Sequence, residues 1–237
     1  MAEAAYGGHS DILRYFMNNT PRTDGQKPWS PYVEAETDQI PKEWGSAVLP
    51  DLVVLYAAKG GKPSVMQTLI DYGLHVDHQM DKIGSPLAVA IINNNVELVQ
   101  FLLSKGADPN DMYWIPQDTF LSAAAALPST EILTLLLDHG ADVESSMALN
   151  GAAEKGRIES AKILLDRGAD VDQILSYPFI EAVLGTALHV AVKNEQEDFV
   201  KFLLEHGARK DLVNAEGLTP KDLAVSLGCE KIAKSLE

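Results

Sequence analysis

Gly84-Ser85-Pro86-Leu87-Ala88-Val89-Ala90, followed by Val96-Glu97-Leu98-Val99-Gln100-Phe101-Leu102-Leu103-Ser104-Lys105-Gly106-Ala107-Asp108-Pro109-Asn110, decides how the chain is read. Ser85 is a helix N-cap, and Pro86 stands at the first helical position, where its missing N–H costs nothing. Gly106 is the residue that can take a left-handed conformation and stop a second helix; Ala-Asp-Pro-Asn then turns the chain away. The stretch therefore spells two short antiparallel helices followed by a projecting turn.

The same grammar recurs. Second-helix endings of the form Leu-Leu-x-x-Gly stand at Leu102-Leu103 with Gly106, Leu136-Leu137 with Gly140, Leu164-Leu165 with Gly168 and Leu203-Leu204 with Gly207. Leu69-Ile70 with Gly73 is a looser copy. By subtraction of these numbers the glycines are 33, 34, 28 and 39 residues apart, so a shortened unit is followed by a lengthened one. Sites four and three before each glycine are apolar, and those eight and seven before it mostly are, as at Leu98/Val99, Ile132/Leu133, Phe199/Val200 and Val65/Met66. That spacing draws one apolar helical stripe, which a lone helix pair cannot bury, so the units must stack.

These residues resemble the ankyrin-repeat family. Its Thr-Pro-Leu-His-x-Ala signature is matched by Thr186-Ala187-Leu188-His189-Val190-Ala191, Ser85-Pro86-Leu87-Ala88-Val89-Ala90 and Thr219-Pro220-Lys221-Asp222-Leu223-Ala224. The Gly-Ala-Asp turn is kept at Gly106, Gly140 and Gly168 and altered at Gly207-Ala208-Arg209. Thr119-Phe120-Leu121-Ser122-Ala123-Ala124 lacks the proline, and Met147-Ala148-Leu149-Asn150-Gly151-Ala152 lacks both cap and proline. The resemblance implies an all-α ankyrin-repeat solenoid of helix-turn-helix units with projecting β-turn fingers, running over 1–237 as one body. Within it, 1–17 reads as an N-terminal capping unit, 18–47 as an aromatic-containing insert, 48–216 as central repeats and 217–237 as a C-terminal capping unit. The resemblance also implies that His189 hydrogen-bonds between repeats and that His9 is structural.

With 34 acidic against 19 basic residues the formal charge is −15, which argues against nucleic acid and against an anionic membrane surface as partners. No apolar run is long enough to span a bilayer, and Met1 to Gly8 shows neither a basic n-region nor an apolar h-region. Cys229 is the single cysteine, which excludes an internal disulfide and reads as a small hydrophobe. A cytoplasmic or nuclear protein is expected. Gly60-Gly61-Lys62-Pro63-Ser64 lacks the spacing of a phosphate loop and reads as an inter-helix turn. No metal site and no cofactor are expected: His75-Val76-Asp77-His78-Gln79-Met80-Asp81 clusters imidazoles and carboxylates, but adjacent residues on a turn fix no tetrahedron.

Three segments depart from the repeat and carry rings. The 18–47 insert holds Trp29, Tyr32 and Trp44; Asp111-Met112-Tyr113-Trp114-Ile115-Pro116-Gln117-Asp118 makes an apolar finger; and Val171 to Leu184 is an enlarged finger with Tyr177 and Phe179. First helices rich in small residues, such as Ala57-Ala58, Ala123 to Ala126 and Ala152-Ala153, would leave an unfilled groove between those fingers. In the family, fingers and first helices line a concave surface that holds protein partners. The expected function is accordingly an interaction module gripping a protein or peptide through Trp29, Tyr32, Trp44, Tyr113, Trp114, Tyr177 and Phe179, with Asp111, Asp118 and Glu181 adding polar complementarity. The alternative is a small-molecule-binding protein or cofactor-free enzyme, taking a small hydrophobic metabolite in a pocket roofed by the insert and the long fingers. Its candidate acid and base residues would be His78, Asp81, Asp118 and Glu181. Whether the chain is an enzyme, and in what oligomeric state it acts, stays open at this point.

Overall fold

The computed structural model describes residues 1–19, 51–80, 83–111, 119–174 and 185–237. These form two compact units, residues 1–114 and 115–237, each built only of helix pairs in its described part. The first unit contains α1 (Ala2–Tyr6), α2 (Ser10–Asn19), α3 (Asp51–Gly60), α4 (Pro63–Asp71), α5 (Pro86–Ile92) and α6 (Val96–Ser104). The second contains α7 (Phe120–Ala125), α8 (Glu131–Asp138), α9 (Ala148–Lys155), α10 (Ile158–Asp166), α11 (Ala187–Lys193), α12 (Glu197–Glu205), α13 (Pro220–Ser226) and α14 (Glu230–Ser235). In each unit the odd-numbered helices pack on one another in sequence, α1 to α3 to α5 and α7 to α9 to α11 to α13. The even-numbered helices α2, α4 and α6 form a second layer against the first in the first unit.

The local signals act as their chemistry demands. Ser85 caps α5, its Oγ accepting from the Ala88 N–H at 3.4 Å with Pro86 at the first helical position. Thr119 caps α7 and Thr219 caps α13 in the same way. Where the notional cap is Met147, no side chain is available, and α9 begins without one. α1 is only five residues long, and α2 follows it through Gly7 and Gly8.

Each second helix from α4 to α12 closes identically. Gly106 takes φ 86°, its N–H reaches Leu103 O at 3.0 Å, and the Ala107 N–H reaches back to Leu102 O at 3.1 Å. This pair of bonds satisfies the last carbonyls of α6 and needs a left-handed residue, which only glycine adopts freely. Space is not the reason for the glycine, because a Cβ there would meet nothing within 4 Å. The same six-to-one bond recurs at Leu74, Ala141, Ala169 and Ala208.

The turn between paired helices also holds a left-handed residue in every pair except α7–α8. Gly61, Gly156 and Gly228 supply it, but Asn94 (φ 51°) and Glu195 (φ 56°) hold it with a Cβ. The following residue ties its repeat to the one before. Asn95 Nδ2 donates to Gly61 O at 3.2 Å, Arg157 Nε to Ala126 O at 3.2 Å, and Gln196 Nε2 to Glu154 O at 3.4 Å.

The small residues of the first helices serve a different purpose from the one their size suggested. Ala57, Ala58, Ala124, Ala125, Ala152 and Ala153 are buried and floor no open groove, while Ala123 and Ala126 are half-buried. They let neighbouring helices approach closely. At Gly151 on α9 an added Cβ would lie 2.4 Å from Ser122 O of α7, a backbone atom that cannot swing aside. Cys229, expected to be a buried hydrophobe, is half-buried at the start of α14.

Two substitutions read this geometry. Gly151→Ala should lower stability by about 1–2 kcal/mol, although helix propensity alone would raise it by about 1 kcal/mol; a raised urea midpoint would show that α7 and α9 can separate at little cost. Glu195→Gly should raise the melting temperature, since it relieves a left-handed strain of roughly 1 kcal/mol that its greater unfolded-chain entropy offsets only in part.

Candidate functional site

The surface that stands out in the first unit is built on its first helices. α3 buries Val53, Val54, Ala57 and Ala58 and carries a second apolar pair, Leu52 and Tyr56, one turn apart on its other side. Tyr6, at the end of α1, sets the edge of its ring against Tyr56, with centroids 5.9 Å apart and planes at 78°. α5 buries every residue from Pro86 to Ile91 and leaves Ile92 out. Tyr6, Leu52 and Ile92 are 56%, 55% and 58% exposed, and Tyr56 is 37% exposed. Side chains of this size stay in water at a cost unless a partner covers them. A second exposed group, Ile12, Tyr15 and Phe16, lies on α2.

The projecting turns bring carboxylates. His78 Nε2 lies 2.9 Å from Asp51 Oδ1 and so pins the first finger to the start of α3. Asp77 Oδ1 accepts from the Asp108 N–H of the next finger at 3.1 Å, and Gln79 Nε2 donates to Asp111 Oδ2. Within the first helices and projecting turns of this unit, the described charged residues are Glu3, Asp51, Asp77, Asp108 and Asp111 against Lys59 and Lys105. Of the residues weighed as acid or base, His78 is thus a clip that is 86% withdrawn from solvent, its side chain 14% exposed.

In the second unit the first helices carry a buried polar ladder. The fourth residue of each motif donates to a carbonyl of the following repeat: Ser122 Oγ to Met147 O at 3.2 Å, Asn150 Nδ2 to Gly185 O at 3.4 Å, and His189 Nε2 to Leu218 O at 3.1 Å. His189 Nδ1 accepts the Thr186 N–H at 3.2 Å, so it carries no hydrogen and the ring is the neutral Nε2–H tautomer. Only 1% of the residue is exposed. Burial pulls its pKa below the ordinary imidazole value, against the opposing pull of the Leu218 and Leu212 carbonyls. His189 therefore joins repeats, the role the family resemblance implied. The shortened unit replaces a full finger by a tight turn, in which Asp142 accepts from the Glu144 N–H at 2.9 Å and from Ser145. The Ser145 hydroxyl is the largest cause holding the Asp142 carboxyl below its usual range.

Trp29, Tyr32, Trp44, Asp81, Tyr113, Trp114, Asp118, Tyr177, Phe179 and Glu181 lie outside the described residues. Among the described residues, no group of three or more His, Cys, Asp or Glu is placed to hold a metal, and no helix is long and apolar enough to cross a membrane. Tyr6, Leu52, Tyr56 and Ile92 were not singled out from the sequence. Their signal was the second apolar stripe on α3, at Leu52 and Tyr56, on the side opposite the one the repeat buries.

A family model of ankyrin repeats in three copies matches residues 1–113 and 179–236, and a second ankyrin-repeat model matches 152–204. The chain belongs to the ankyrin-repeat family. Human ankyrin repeat and SOCS box protein 11 is 33% identical over 155 residues, which are 62% of this chain and 47% of that protein. Mouse ankyrin repeat and SOCS box protein 5 is 41% identical over 90 residues, 38% of this chain and 26% of that protein. At best, then, this ankyrin-repeat chain spans about half the length of these SOCS-box relatives. Among solved structures, an ankyrin repeat domain from Acinetobacter baumannii superposes with a TM-score of 0.63 at 28% identity, covering 77% of this chain and 95% of that one. The ankyrin repeat protein EF0377 gives the same TM-score and coverage at 33% identity.

The ladder makes stability depend on pH in a stated direction. The folded His189 is harder to protonate than the unfolded one, whose pKa is about 6.5, so its contribution is whole above that pH and is lost as pH falls through the lowered folded value. His189→Gln should cost about 1–3 kcal/mol at pH 7.5. The gap to wild type should narrow as pH is taken down to about 5. Melting curves across that range decide it, and a gap that stays constant with pH would refute the account.

Proposed function

We propose that the chain is a protein-interaction module that holds a protein or peptide partner on its inner-helix face, with aromatic and aliphatic side chains as anchors. Ankyrin repeats typically mediate protein binding, and the family match supports that coarse reading. The observation that carries the finer one is the exposed group Tyr6, Leu52, Tyr56 and Ile92, spread over three successive first helices of one unit. Rings of this kind dominate interface energy when they enter desolvated pockets on a partner. Tyr113, Trp114, Tyr177 and Phe179 on the long fingers, with Trp29, Tyr32 and Trp44, are proposed as further anchors on the strength of their residue type and their departure from the repeat.

Affinity capture from the native cell tests this reading, with three baits: wild type, Tyr6→Ala/Ile92→Ala and Trp114→Ala/Tyr177→Ala. Bound proteins and co-eluting small molecules are identified together by mass spectrometry. A stoichiometric protein retained by wild type and weakened about tenfold or more by the first variant is the expected result. Loss in the second variant would add the fingers to the surface. A small molecule retained in place of any protein would overturn the interaction reading.

A further inference from the structure

We propose that the side of α2 carrying Ile12, Tyr15 and Phe16 docks an amphipathic helix of another protein, laid on α2 as one second helix is laid on the next within the stack. This surface is separate from the inner-helix face and does not depend on the function proposed for that face.

Ile12 and Phe16 stand four and eight residues after Gly8, the left-handed residue of their turn. The same two positions can be counted from Gly61, Asn94, Gly156, Glu195 and Gly228. In α4, α6, α10, α12 and α14 they are no more than 3% exposed, with Val65 and Leu69 as the α4 pair. On α2 they are 42% and 45% exposed. Tyr15, seven residues after Gly8, is 65% exposed, whereas Thr68 and Phe202 at that position are buried. Residues at these spacings share one side of a helix. α2 therefore exposes the side that the other second helices bury.

The stack shows what that side receives. On α4 it is covered by α2, whose Leu13 and Met17 are fully buried and are each followed by a polar residue. Arg14 Nε donates to Thr68 Oγ1 at 3.3 Å, and the Tyr72 hydroxyl donates to Asn18 Oδ1 at 2.6 Å. In the second unit Arg167, at the position of Tyr72, donates to Asp138 Oδ1 at 3.0 Å. The helix that fits thus offers two apolar residues one turn apart, each followed by a polar one, the second of these Asn or Asp. On α2 the receiving groups are Ile12, Phe16 and the Tyr15 ring set edge-on to Phe16, and Asn19 stands where Tyr72 and Arg167 stand.

Two other occupants fit less well. α14 holds Ala233 and Glu237 in the places of Leu13 and Met17, so a second copy has no apolar pair there with which to extend the stack. Pro21, Pro28, Pro31, Pro41 and Pro50 divide residues 20–50, and in the longest proline-free run, 32–40, no two apolar residues lie four apart. Trp44 and Val48 do lie four apart, but Gly45 and Leu49 follow them in place of polar residues.

A lactam-stapled helix with the sequence Pro63–Tyr72 is the probe, since it carries Met66 and Ile70 followed by Gln67 and Asp71. Its binding to the full chain is read by fluorescence anisotropy. Wild type should bind it, and affinity should fall about tenfold or more in Ile12→Glu/Tyr15→Glu. That variant must first keep the wild-type helical signal and melting temperature; if it does not, Tyr15→Glu alone serves. Affinity should be unchanged in Tyr6→Ala/Ile92→Ala, which alters only the inner-helix face, and a probe bearing Met66→Glu and Ile70→Glu should not bind. No binding to wild type, or equal binding to the α2 variant, would overturn the proposal. Loss in Tyr6→Ala/Ile92→Ala instead would overturn it too, while leaving the inner-face reading standing. Binding gained only when residues 22–48 are replaced by a glycine-serine linker would assign the side to that segment. A dimer seen by light scattering and dissolved by the α2 variant would assign it to a second copy.

Discussion

Everything in this architecture depends on the six-to-one hydrogen bond that ends each second helix. In α6 it joins the Ala107 N–H to Leu102 O, and its copies stand at Leu74, Ala141, Ala169 and Ala208. In each copy the preceding residue is a left-handed glycine, and the bond turns the chain out of the helix there. With that closure repeated, each second helix ends in the same way after its buried apolar pair, and the next helix pair can lie against it. Hydrophobic burial drives the stacking, but the turn decides that stacking is the form burial takes.

Two kinds of polar side chain then set the spacing between repeats. Asn95, Arg157 and Gln196 reach back to a turn carbonyl of the preceding repeat, and Ser122, Asn150 and His189 reach forward to a carbonyl of the following one. The second set is buried, where a missing partner would be costly, and no buried side-chain polar atom among the described residues lacks one. His189 is the member of this set that titrates, so one hydrogen-bonded ring links repeat geometry to pH.

How much of this was legible in the sequence depended on whether a residue's role was local. The cap at Ser85, the stop at Gly106 and the repeat itself could be read because each is decided within a few residues. The inter-repeat role of His189 was readable only through its family motif. Asn150 plays the same part in a motif that has lost cap and proline, and nothing in its own neighbourhood announces it. The small residues were misread for a related reason. Size alone does not say whether a position is bare surface or a close helix contact, and Gly151 turned out to face Ser122 O. The exposed strip of Tyr6, Leu52, Tyr56 and Ile92 was missed because an apolar residue in a short helix looks like core until the buried side is known. The ring-bearing insert and fingers fall largely outside the described residues.

The opposed directions of the two polar sets have a consequence for how such a chain can change over generations. The α9–α10 and α11–α12 repeats each hold a backward and a forward donor, so either one copied or deleted in frame carries both with it, along with the carbonyls its neighbours require. Both new junctions are then already chemically complete. Length can therefore vary by whole units without a new interface having to arise, whereas a loss of half a unit would strand donors on one side and acceptors on the other. The 28- and 39-residue spacings on either side of Gly168 are of the tolerated kind. They change the length of the projecting turns and leave the donors at Asn150, Arg157, His189 and Gln196 in register.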